Sequence, residues 1–413
     1  MTSEPSVSAA TSAPSAADST RRPLNTLAQE LEQGFLERSD GLDRTQAFPH
    51  ENFADLRRAG LLQMALPDRF GGHNADLQDI NQVLETLARA CPSTALIFNM
   101  HLAFTAQLAH LWRLDPDGPW GDWMQQIQVA DMLVGGALSE TKSWNAVIFP
   151  QTVATAVEGG YIVDGVRSFC TGSEHLGYIQ CTAQIRSAQA PSRAIYFILS
   201  QDMQGIEWKE DWDTLGMRAS ASHGFLLNKV YIPQSHVLYE YPYGAMDTSQ
   251  LWLSFLTTSF VGFAAIYAGI AEQAKTEALT RIITRSRAPG THPLTHKPAV
   301  QRHAAQMMIG SRLMSSLRDA YVAQKPIGSE FGLEDVLNSS IAKQLCIQTA
   351  LTTVDHAIAQ LGGQAYFKSC RLERLLRDVR AGPFHPFSQD DSLEMMGKLM
   401  FGLSFMTAPG WAL

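Results

Sequence analysis

Cysteine is scarce: Cys91, Cys170, Cys181, Cys346 and Cys370 are scattered through 413 residues. None forms a C-x-x-C pair and their number is odd. The pattern excludes a disulfide framework and a zinc site, and points to a reducing, cytoplasmic compartment. Positive charge is also short, with 32 Lys and Arg against 40 Asp and Glu, a net charge of −8. Nucleic-acid binding built on phosphate contacts is therefore not expected. Residues 1–22 lack a continuous apolar run, and their Ser, Ala, Thr and Pro read as a disordered tail rather than a secretory signal. Between Thr248 and Ala271 charge is missing altogether. Length alone would allow that run to span a membrane. Its Ser, Thr and small residues, and the charged stretch from Glu272 to Glu277, favour instead a helix buried on all sides of a bundle, with no membrane involved.

Apolar residues make up 45% of the chain and charged residues 17%, the balance of a globular enzyme. The length predicts two or three domains. From 23 to 131 the apolar residues keep helical spacing, as in Leu24, Leu27, Leu31 and Phe35, and Pro92-Ser93 opens a helix that is apolar nearly all round. From 132 to 243 the pattern turns to strands. Val153–Val157 and Tyr161–Val163 flank a glycine turn, and Ala194–Leu199 and Phe225–Ile232 follow. From 244 to 413 the text is helical again, with loops at Arg287–Pro293 and Gly362-Gly363. Segregated blocks of this kind predict an α+β fold, with a sheet domain between two helical ones.

Several strings then stand out in order. They are Pro67-Asp-Arg-Phe-Gly71-Gly72, Ala137-Leu138-Ser139-Glu140, Gly165-Val-Arg-Ser-Phe169-Cys170-Thr171-Gly172, Gly216-Met217-Arg218, and Leu361-Gly362-Gly363 followed by Arg374-Leu-Leu-Arg377-Asp378. Together they resemble the acyl-CoA dehydrogenase superfamily from about Phe53 to Lys398. The resemblance implies an N-terminal helical domain, a middle β-sandwich or barrel, a C-terminal helical bundle, a homotetramer and a flavin. By the same resemblance Leu138 and Ser139 meet the flavin's pyrimidine edge, Phe169 packs on the ring, Cys170 lines it, and the Thr171 hydroxyl and backbone reach N5. Arg285 falls in the region that holds the flavin pyrophosphate, where the usual Phe-Gly is not preserved. Ser388 stands where a family hydroxyl helps bind flavin, or is an N-cap and nothing more. No metal is expected.

The departures concern the reaction. The family's catalytic glutamate corresponds to Pro386, which has no ionisable group and cannot be a base. The alternative position for that acid, on a helix of the bundle, corresponds to about Trp252, inside the uncharged run. Both routes to thioester oxidation therefore look closed. The histidine just before Pro386, His385, resembles the one found in flavin monooxygenases built on this fold, such as dibenzothiophene monooxygenase and the nitrososynthases. An imidazole beside a flavin can shuttle a proton near neutral pH. His101, mid-helix in an apolar stretch, is either tied structurally or aimed at the substrate cavity, and Ser173 is a pocket candidate or an ordinary turn serine. Gly135-Gly136 stand where sulfur-oxidising members carry an asparagine, which leaves the reaction type open. The leading expectation is a flavin monooxygenase acting on a small, fairly apolar substrate. It would use FMN or FAD, possibly supplied reduced by a partner reductase, with His385, His101 and Ser173 as catalytic candidates. The alternatives are an acyl-CoA or carrier-bound acyl dehydrogenase with a relocated base, and a catalytically inactive binding subunit.

Overall fold

A computed structural model describes residues 22–403, apart from 144, 189–191, 245–247, 285–291 and 323–324. Arg285 and nearly all of the N-terminal tail lie outside the described residues. The chain begins with α1 (Leu24–Thr45), α2 (His50–Arg58), α3 (Leu77–Ala90), α4 (Pro92–Leu114) and α5 (Trp120–Val129). Local chemistry sets these starts. Asp76 caps α3, accepting the Asp79 N–H at 2.8 Å while the Asp79 carboxylate accepts the Asp76 N–H at 3.2 Å. Proline at the first position of α4 loses no helical hydrogen bond there.

Eight described strands follow: β1 (Val134–Gly136), β2 (Val153–Val157), β3 (Gly160–Arg167), β4 (Tyr178–Ile185), β5 (Arg193–Ser200), β6 (Ile206–Trp208), β7 (Phe225–Pro233) and β8 (Val237–Pro242). They form one sheet in the order β6-β7-β3-β2-β4-β5-β8, with β1 pairing in parallel to β4. The expected glycine hairpin is β2–β3, antiparallel with Ala156 opposite Tyr161.

The second helical block comprises α6 (Gln250–Thr284), α7 (Pro298–Val322), α8 (Leu333–Leu361), α9 (Arg371–Val379) and α10 (Gln389–Met400). The uncharged run lies in α6. That helix is long and apolar enough to cross a membrane, but its apolar window is wholly buried inside the protein. It packs against α3, α4 and α8. Gly262 permits the approach to α4, because a Cβ there would stand 1.8 Å from Asn99 Oδ1. An all-round apolar helix buried by helices on several sides is the solution that burial of its surface demands.

Candidate active site

Two of the strings noticed in the sequence meet at one junction. The Asp378 carboxylate accepts the Met217 N–H at 2.7 Å. Arg377 binds Asp43 of α1 at 3.0 and 2.6 Å and the Leu215 carbonyl at 3.1 Å. Arg218 donates to the Asp43 carbonyl at 3.0 Å. Gly216 is required at this contact, since a Cβ would meet the Arg377 carbonyl oxygen at 2.2 Å. Asp378 is buried, and burial raises its carboxyl to about 6 against the opposing pull of Arg374 and the Met217 N–H. The Arg-Asp pair thus joins α1, the loop after β6 and the C-terminal bundle, and has a structural task.

The turn after β3 is bound to the loop before β7. Cys170 N–H donates to the His223 carbonyl at 3.1 Å, and its buried thiol is pushed well up by desolvation. Thr171 Oγ1 accepts from Ser222 Oγ at 3.1 Å, and Ser222 Oγ lies 2.7 Å from Ser220 Oγ. Phe169 differs from its neighbours. It is 64% exposed, has a φ of 56°, and meets Trp212 edge-on at 6.1 Å. A large apolar ring held outward on a left-handed backbone is costly, and such outliers cluster at functional sites. On the adjoining segment Leu138 and Ser139 are half-buried, and the Ser139 carbonyl accepts the Ser168 N–H at 3.1 Å. The outward ring, the strand edge beside it and the Thr171 hydroxyl fit a flat aromatic cofactor.

Two expected catalytic residues are corrected by their hydrogen bonds. His101 is 1% exposed, with Nε2 at 2.7 Å from the Leu62 carbonyl and Nδ1 accepting the Val134 N–H at 3.2 Å. Only the neutral Nε2–H tautomer makes both bonds, and burial lowers its pKa to about 4. No ring nitrogen remains for a reactant. Ser173 is likewise engaged. Its hydroxyl faces the carbonyls of Cys170, at 3.0 Å, and of Ala221, and accepts the His223 N–H at 2.9 Å. Both are structural ties. Ser388 is the N-cap of α10. Its Oγ donates to Asp391 Oδ2 at 2.6 Å and accepts the Asp391 N–H at 3.2 Å, so the capping reading holds in this structure.

His385 stands apart from that turn, among α6 and α8. Its ring stacks on Phe263 at 4.3 Å with an 18° interplanar angle, and Nε2 lies 2.7 Å from Tyr267 Oη. Tyr267 is fully buried, and burial pushes its phenol well above the ordinary range, so it keeps its proton. That proton's natural acceptor is Nε2, which leaves the imidazole proton on Nδ1. Burial, and then the charge of Lys343, hold the imidazole down to about 3. Held neutral near pH 7, the imidazole does not fit the expected proton shuttle, and its remaining proton lies on Nδ1. Pro386, which follows His385, carries no acid, and the first acidic residue of α6 is Glu272. Tyr267, Phe263 and Lys343 were not singled out from the sequence. The available signal was a lone lysine in the apolar stretch Ile341-Ala342-Lys343-Gln344-Leu345-Cys346.

A helical block, a sheet and a second helical block, joined at the Arg-Asp contact, make up the acyl-CoA dehydrogenase fold. Residues 20–112 match the acyl-CoA dehydrogenase N-terminal domain and residues 261–390 the acyl-CoA dehydrogenase C-terminal domain. The chain belongs to this family. It is 28% identical over 378 residues to the putative acyl-CoA dehydrogenase YdbM of Bacillus subtilis, covering 89% of this chain and 92% of that protein. It is 24% identical over 375 residues to the probable FMNH2-dependent monooxygenase SfnC of Pseudomonas putida, covering 88% and 91%. Among solved structures, KijD3 in complex with FMN and a dTDP-amino-keto sugar superposes with a TM-score of 0.79 at 21% identity, covering 93% of this chain and 95% of that one.

Proposed function

We propose that this protein is a flavin-dependent monooxygenase that uses reduced flavin, delivered by a separate reductase, and O₂ to oxygenate a small, fairly apolar substrate. The observation that carries this reading is the pairing of Pro386 with a neutral His385 where a dehydrogenase needs a carboxylate, with none on α6 before Glu272. Similarity to a relative named as FMNH2-dependent supports it.

Bound reduced flavin would supply the two electrons that activate O₂. Phe169 would form the apolar wall, the Leu138-Ser139 backbone the polar edge, and the Thr171 hydroxyl a hydrogen-bonding group. Cys170 would act through its backbone alone. His385 donates from Nδ1 to negative charge developing on oxygen, as a neutral imidazole can without losing its own proton. His101 and Ser173 hold the walls. Exposed Tyr366, Phe367, Phe384, Met400 and Phe401 in the C-terminal block suit self-association, consistent with a homotetramer.

The test combines NADH, a flavin reductase, FMN and O₂ with a panel of small apolar amines, sulfides and ketones. Oxygenated product formed only with reduced flavin is expected. Anaerobic bleaching of tightly bound oxidised flavin by an acyl-CoA would overturn the reading in favour of the dehydrogenase that YdbM's name suggests.

A further inference from the structure

Beneath the histidine loop lies a lysine whose ammonium, among the described residues, faces no carboxylate at hydrogen-bond distance. Lys343 of α8 is fully buried. Its Nζ donates to the carbonyls of His385 at 3.0 Å, Pro386 at 2.9 Å and Phe387 at 2.5 Å. An ammonium has three protons, so donors and acceptors match one to one. The same charge lies 5.0 Å from the Phe260 ring centre and 5.8 Å from that of Phe263, a cation–π arrangement, and the Phe263 ring also stacks on His385. The adjacent Gln344 donates at 3.3 Å to the Phe387 and Ser388 carbonyls. Two consecutive residues of one helix thus reach four successive carbonyls, of His385, Pro386, Phe387 and Ser388, the last of which also accepts the Ser392 N–H at the start of α10.

We propose that Lys343 is a positioning residue for His385: its buried ammonium clasps the loop backbone and sets where the imidazole stands between Phe263 and Tyr267. The role rests on the monooxygenase reading only in assigning His385 to catalysis. The titratable groups that act on Lys343 are His385 on the loop and Asp391 of α10, whose carboxylate is bonded to Ser388. Burial lowers the ammonium to about 7, with Asp391 pulling upward. Above that pH the amine retains two protons for three carbonyls, so the clasp loosens on the alkaline side.

The experiment reads His385 directly, by NMR of histidine-labelled full-length protein without flavin, the resonance being identified by its loss in His385→Gln. In Lys343→Met the His385 signal is expected to shift, and its titration to move upward from that of the unaltered protein while staying below histidine's ordinary range, because burial, the larger cause, remains. Lys343→Gln keeps a donor without the charge. It is expected to leave the ring signal near its place at high pH while allowing the same titration. Product formed per reduced flavin should fall in Lys343→Met by up to about a hundredfold, the size associated with an ångström of misplacement, with KM little changed. An unchanged His385 signal and titration in both variants overturns the proposal, and Lys343→Gln decides alone if Lys343→Met does not fold. Because the signal is read without turnover, a Lys343-dependent shift in a protein lacking monooxygenase activity removes the functional reading and leaves the positioning role standing.

Discussion

Tyr267 Oη and His385 Nε2 lie 2.7 Å apart, a neutral phenol and a neutral imidazole sharing one proton bond. The phenol fixes the tautomer, so Tyr267→Phe leaves Nε2 without its donor and lets the ring proton exchange between nitrogens. A stability loss of about 1 kcal/mol is expected from the lost bond. Turnover should fall by roughly tenfold, as for a partly misplaced hydrogen-bond donor to developing charge, while FMN affinity stays constant. Urea unfolding and product yield per reduced flavin measure the two. Unaltered turnover would show that the phenol does not orient the imidazole.

Acid should weaken the protein through His101. Its folded pKa is lowered to about 4 by burial. Between about 6.5, the unperturbed histidine value, and 4 the unfolded chain binds a proton that the folded one refuses. Stability is therefore full above that range and lost as pH falls through it. His101→Gln should flatten this part of the unfolding profile, leaving the contribution of His385, which is depressed further, to about 3. A slope identical in both proteins counts against the assigned tautomer.

Asp378→Ala removes the acceptor of a buried N–H and the carboxylate beside Arg374. A loss of about 3 kcal/mol is expected, with Asp378→Asn losing less because its amide oxygen still accepts from Met217. Guanidinium unfolding distinguishes them. Equal losses would mean that charge, not the hydrogen bond, holds the contact.

Phe169→Ala should separate binding from folding. The ring is 64% exposed, so unfolding stability should barely change. If it forms the flavin wall, the Kd for FMN should rise about tenfold, near the upper end of a single aromatic contact. Fluorescence quenching gives the value, and an unchanged Kd removes Phe169 from the site.

What could be read in advance was local. The uncharged run of α6, the proline opening α4 and the β2–β3 glycine hairpin all follow from spacing and turn chemistry. The site was legible only as strings. His101 is tied to Leu62 and Val134, and Ser173 to Ala221 and His223, partners remote in sequence. Without those partners a buried polar side chain reads equally as wall or reactant. His385 was visible, but its charge state was not, because a lysine 42 residues earlier helps set it.

The contact around Asp43 has a mechanical consequence. One side chain and one carbonyl of α1 engage both Arg377 of the C-terminal bundle and Arg218 of the sheet region. Those segments cannot swing about a hinge on this side without breaking several charged hydrogen bonds together. Hydrogen exchange should then show α1, α9 and the Gly216–Arg218 turn opening as one cooperative unit.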